Sequence, residues 1–118
     1  MNQEIKQRWI SKLRSGEYKQ GTKYLCKSDS YCCLGVLCEV YREDHPGIEW
    51  ESKEGDIKKI LDLTSVLSRP ILVWAGLDDA NPMTSIQDPS NLGKSLAELN
   101  DAHYWNFNQI ADQIEKDF

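Results

Sequence analysis

The apolar positions of this chain are densest at residues 31–41, where Leu34, Leu37, Cys38 and Tyr41 fall on one face at helical spacing. Cys33, Val36 and Val40 widen that stripe until it covers most of the circumference, which predicts a buried, cysteine-rich central helix. Ser28, Asp29 and Ser30 stand before it as expected N-caps. Arg42 suits the negative end of its dipole, and Pro46 with Gly47 stops it. Gly35 lies inside the helix, where glycine costs about 1 kcal/mol against alanine. It therefore marks close helix packing, or a place where another backbone or a ligand approaches.

On the N-terminal side, Ile5, Trp9, Ile10 and Leu13 form one face of a first helix that Ser15 and Gly16 end. Residues 17–21 are polar and glycine-bounded, an ordered loop, and residues 22–26 read as a short strand. Beyond the central helix, residues 47–51 alternate apolar and charged, the period of a half-exposed strand, and residues 52–55 form a turn. Residues 56–67 fit either a helix or a strand. Ser68 with Pro70 starts a further helix that Gly76 closes. Residues 77–91 read as a long loop, of the kind that carries function in small domains. Ser95 and Glu98 have the spacing of a capping box, and Asn106 caps an amphipathic helix built on Phe107, Ile110, Ala111, Ile114 and Phe118. The expected fold is α+β: one small domain, residues 1–118, with a short antiparallel sheet packed by about four helices around the cysteine-rich one.

At 118 residues the chain can bury one modest core without disulfides or metals. It has no apolar run of bilayer length and no signal-peptide layout, so the expected location is the cytoplasm, with no membrane partner. Cys26, Cys32, Cys33 and Cys38 should then be reduced and structural. Charge is polarised: residues 1–27 hold seven cations against two carboxylates, and residues 60–118 hold three against nine. Such asymmetry favours reciprocal contacts in a homo-oligomer or a basic rim for an anionic ligand. The net charge of −5 argues against general nucleic-acid binding.

Catalytic and cofactor signatures are weak. The cysteines form no Cys-x-x-Cys pair, even with His45 and His103 as extra ligands, and no glycine-rich phosphate loop is present. Adjacent carboxylates such as Asp78 and Asp79 lack a partner nucleophile. No catalytic residue, metal or cofactor is assigned. The remaining candidates are aromatic and polar residues drawn from several loops: Tyr18, Gln20, Lys23, Tyr31 and Trp74, with Asn81, Asn100, Asp101, Tyr104 and Trp105. Aromatic faces stack on a base, Asn and Asp read its edge or a ribose, and Lys holds phosphate, so the set suits a nucleotide-like ligand.

Four blocks carry a resemblance across nearly the whole chain: Leu13 to Tyr18 with Gln20 and Gly21; Tyr31 to Cys38; Trp74 to Leu77 with Asn81 and Pro82; and Leu96 to Asp101 with Ile110 to Asp112. In these the chain resembles small proteins encoded by tailed phages and prophages, a group without an assigned function. It departs from them at Ala102 and His103, where a glycine commonly follows the Asn-Asp pair, and at Ser68 and Arg69, where a proline-rich lead-in is usual. The resemblance implies action in a bacterial host's cytoplasm. The leading expectation is a non-catalytic host-takeover or immune-evasion protein that sequesters a nucleotide-derived defence signal, with the basic N-terminal segment holding phosphate. One alternative is an inhibitor that covers a basic host or defence protein with its acidic C-terminal half. Another is a small nucleotide hydrolase.

Overall fold

Each helix that the apolar stripes predict is present, and together they enclose one core. A computed structural model describes residues 1–118. Helices α1 (Gln3–Arg14), α2 (Cys33–Asp44), α3 (Arg69–Ala75), α4 (Leu96–Asp101) and α5 (Phe107–Asp117) surround a buried cluster that runs from Trp9 through Leu34, Leu37 and Cys38 to Ile110 and Ile114. The fold is α+β, with α2 at its centre. No helix is long and apolar enough to cross a membrane.

The five-stranded sheet has the order β1-β3-β2-β5-β4, built from Lys19–Gln20, Ser30–Tyr31, Cys26–Lys27, Ile57–Lys59 and Glu51–Glu54. It is mixed rather than purely antiparallel, because β1 runs parallel to β3, with Gln20 opposite Tyr31. The strand expected at residues 22–26 is confined to its last residue and Lys27, since Lys23 takes a left-handed φ of 72° that breaks an extended run. The alternation at residues 47–51 does not make a strand. Ile48 and Trp50 pack against the core from irregular backbone, and the ladder starts only at Glu51, so that β4, whose residues are all exposed, takes up most of the expected turn at 52–55. Residues 56–67 resolve into β5, then a tight turn with Leu61 and Asp62 at positive φ and a bridge between Ile60 and Leu63. The expected loop at residues 77–91 contains a strand, β6 (Met83–Gln87), which forms a hairpin with β7 (Gly93–Ser95). Its residues alternate in exposure, but only Met83 and Ile86 are apolar, too few to reveal the period.

The N-terminus of α2 is not capped by Ser28, Asp29 or Ser30. Ser28 and Asp29 make the two-residue connection between β2 and β3, where Ser28 adopts a φ of 57°, and Ser30 opens β3 with its hydroxyl donating to the Lys27 carbonyl. The cap comes from another helix: the Asn100 Oδ1 accepts from the Cys33 N–H at 3.3 Å, and the Trp9 indole N–H donates to the Cys33 carbonyl at 2.9 Å. Gly35 meets backbone. A Cβ there would lie 2.7 Å from the carbonyl carbon of Leu25, with the carbonyl oxygen closer still. The capping boxes of Ser95 with Glu98 and of Asn106 with Gln109 are both formed.

Candidate functional site

The connector between α4 and α5, residues 102–106, displays two aromatic side chains from a backbone that is fastened on both sides. The Trp105 N–H donates to the Leu99 carbonyl at 3.0 Å, and the Trp105 carbonyl accepts from the Gln20 Nε2 at 2.8 Å. Between these anchors Tyr104 adopts a φ of 54° and stands 80% exposed. A non-glycine residue held in the left-handed region costs free energy, and such strain concentrates at functional sites. Asn100 supplies the anchor beneath. It is 1% exposed, and its amide makes four hydrogen bonds: it accepts from Gln20 Nε2 and the Cys33 N–H and donates to the Gly21 carbonyl and to Asp101 Oδ1.

Two shallow hollows, each of about 250 Å³, lie against this connector and share Trp105 as a wall. The first is completed by Gln20, Thr22, Asn100, Tyr104 and Asn106. Its free hydrogen-bonding groups include the Gln20 Oε1, the Asn106 Nδ2 and the Thr22 and Tyr104 hydroxyls, whereas the Gln20 donors and the Asn106 oxygen are already engaged within the fold. The second is mainly apolar, with Ile86, Pro89 and Leu99, and has Lys94 and His103 at its edge. Lys94 sits between Asp88 at 3.7 Å and Glu98 at 3.8 Å, so its charge is offset inside the fold. Among the four tryptophans, Trp9, Trp50 and Trp74 donate their indole N–H to Cys33, Glu39 and Asp44 respectively; that of Trp105 has no protein partner. Trp105 is half-buried and its N–H is not among the buried unpaired groups, so it presents an apolar face and a donor open to solvent.

A family model covers the chain from residue 1 to residue 118. The chain belongs to the DUF8296 family, a domain of unknown function. No curated protein and no solved structure matches it significantly.

Within this DUF8296 domain the other predicted residues scatter. Tyr18 packs edge-on against Tyr31, which packs edge-on against Trp50, at centroid distances of 5.4 and 6.0 Å. This ladder flanks the Glu39 and Arg42 ion pair. Trp74 abuts Tyr41 and donates to Asp44, and Asn81 accepts from the Ala97 N–H at the start of α4. Both serve the fold. Asn100 does too, and its hydrogen-bonding capacity is filled within the fold, so its amide has no free group to offer a ligand. Asp101 keeps one carboxylate oxygen free beside Asn100. Thr22, Asn106 and Ile86 were not singled out by sequence; only Asn106 carried a signal, as a helix cap.

The basic N-terminal segment is largely consumed inside the DUF8296 fold. Arg8 bonds Asp44 and Glu43, Lys12 bonds Glu43, Arg14 bonds Asp112 at 2.6 Å, and Lys6 donates to the Glu115 carbonyl. Lys19 lies 3.7 Å from Asp29. Lys23, next in the chain to Thr22 of the first hollow, is exposed. All four thiols are buried, and burial pushes them up, Cys32 to about 12 and Cys33 and Cys38 well above the ordinary thiol range. Such thiols are poor nucleophiles. A separate hollow of about 350 Å³ near Leu77 and Phe118 is rimmed by Asp78, Asp79 and Asp117, a setting that repels anions.

Proposed function

We propose that this DUF8296 chain is a non-catalytic binding protein that holds a nucleotide-derived molecule at the Tyr104 and Trp105 connector. Together with the resemblance to small tailed-phage proteins, the reading is of a protein that sequesters a host defence signal during infection. The observation that carries it is Trp105, an anchored tryptophan with an unused N–H, bordered by one free acceptor at Gln20 and one free donor at Asn106. A base stacked on an aromatic ring contributes about 1–3 kcal/mol, and each edge hydrogen bond about 0.5–1.5 kcal/mol. One base in the first hollow thus gains about 2–6 kcal/mol, to which the contacts of the rest of the molecule add. Anchoring of the connector by Leu99 and Gln20 limits the ordering cost on binding.

The test is native mass spectrometry of the protein purified from bacteria in which nucleotide signalling is active, followed by denaturation to release any small molecule. The expected result is a nucleotide mass retained by the wild type, lost in a Tyr104→Ala, Trp105→Ala double variant, and unchanged after prolonged incubation. Recovery of empty wild-type protein from cells confirmed to be signalling refutes the reading and turns the search to a protein partner. Conversion of the bound molecule would make the protein a hydrolase.

A further inference from the structure

Trp105 belongs to two hollows rather than one, and their chemistry differs. The first, with Gln20, Thr22 and Asn106, offers hydrogen bonds to the edge of a ring. The second, which shares the tryptophan, sets Ile86, Pro89 and Leu99 among Gln87, Asp88, Lys94 and His103, and its surface is mainly apolar. The hollows are similar in volume at about 250 Å³, each below the range of about 300–1,000 Å³ usual for a complete small-molecule site. Neither is rich in free positive charge. Lys94 is flanked by Asp88 and Glu98, and Arg8, Lys12 and Arg14 of α1 are paired with carboxylates of the fold.

We propose that the two hollows act as one bipartite site for a ligand with two flat rings joined by a short, lightly charged linker, of the dinucleotide class. This rests on the nucleobase reading of Trp105 and adds a second ring site to it. One ring lies in the polar hollow with its edge toward Gln20 and Asn106, and the other against Ile86 and Leu99. The linker crosses at Trp105, where the free indole N–H can donate to a linker oxygen. Joining two weak ring contacts makes the second one intramolecular, so affinity rises without a strong phosphate site. A chain of phosphates adds little, because the paired cations do not meet it.

The test is isothermal titration calorimetry of the full chain with the dinucleoside monophosphates ApA, GpG, CpC and UpU, their 5′-mononucleotides, and ATP. At least one dinucleotide is expected to bind at one per chain and at least tenfold more tightly than its mononucleotide, with ATP no tighter than AMP. The mononucleotide is expected to bind at up to two per chain. Ile86→Thr should bring the dinucleotide down to the affinity of the mononucleotide. Equal affinities for a dinucleotide and its mononucleotide, each at one per chain, overturn the bipartite site and leave the single-base reading standing. Absence of binding by every probe overturns both. The stoichiometry decides the matter from the wild type alone, should Ile86→Thr fail to fold.

Discussion

Replacing Gly35 with alanine sets two effects of opposite sign against each other. In a solvated helix interior the change stabilises by about 1 kcal/mol, because alanine loses less backbone entropy and exposes less backbone. In α2 the added Cβ would stand 2.7 Å from the Leu25 carbonyl carbon, where ordinary contact begins at 3.4 Å. The helix and the Leu25 segment must therefore part by more than the 0.7 Å between those two distances, because the Leu25 carbonyl oxygen is nearer still. Leu25 cannot give easily. Its N–H donates to the Thr64 carbonyl at 2.7 Å, its side chain is fully buried, and Cys26 is held in the ladder between β3 and β5. Overpacking of this kind costs about 1–3 kcal/mol, and a backbone neighbour places it at the upper end. Net destabilisation is then about 2 kcal/mol, a fall in Tm of about 6–12 °C for a domain of this size. Thermal unfolding followed by circular dichroism, with a urea titration to check that the m-value is unchanged, measures it. A Tm that rises or stays level, as helix propensity alone requires, refutes the account of Gly35 as a contact point between backbones.

Ser68 is expected to break the usual rule for helix caps. It occupies the N-cap of α3, but its hydroxyl is buried without a partner, and Pro70 removes an N–H it would normally accept from. Ser68→Ala should change stability by less than about 0.5 kcal/mol or raise it, against the loss of about 1 kcal/mol typical of a cap; a urea midpoint that falls by a full cap's worth rejects this. Asn100→Leu, similar in volume, should cost about 2–4 kcal/mol by orphaning the Cys33 N–H and the Gly21 carbonyl, measured by the same titration. Acid stability should report the α1 to α2 ion pairs. Arg8 holds the Asp44 carboxyl below its ordinary value, and at Glu43 the hydrogen bonds from Lys12 and Arg8 outweigh the upward push of burial. A depressed carboxylate stabilises the fold above its unfolded pKa and loses that contribution as pH falls through the folded one, so the loss belongs below about pH 4. These side chains are substantially exposed, so the effect is small, and Arg8→Gln should flatten part of the decline in Tm between pH 5 and 2.5. Superimposable acid profiles for the variant and the wild type would dismiss the pairing as a contributor.

What could be read from the sequence was local. The stripes of α1, α2 and α5 are dense enough to fix each helix and the face it buries, and the capping box of Ser95 with Glu98 and the cap at Asn106 need only side chains close in the chain. The close approach at Gly35 was visible as a glycine in a costly place, although nothing in the chain named Leu25 as the neighbour. Strands of two or three residues have no room to display a period, and β6 hides its alternation in Thr84, Ser85 and Gln87. The N-cap of α2 could not be found locally, because the amide that provides it is 67 residues away. The same distance problem misled the reading of charge. Arg14 and Asp112 looked like opposite poles, and they are partners in one ion pair.

Asn100 explains why the fold and the candidate site cannot be treated separately. One buried amide joins the end of β1 through Gln20 and Gly21, the first turn of α2 through Cys33, and the start of the aromatic connector through Asp101. Gln20 then passes the tie on to the Trp105 carbonyl. The amide that caps the core helix thus also holds Gln20, which holds the Trp105 backbone, so the surface at Trp105 is already ordered by folding. Loss of Asn100 should therefore remove stability and binding together. Loss of the Trp105 side chain, whose indole N–H bonds nothing in the protein, should remove binding while the backbone anchors keep the connector in place. That difference separates a residue that positions the site from one that touches the ligand.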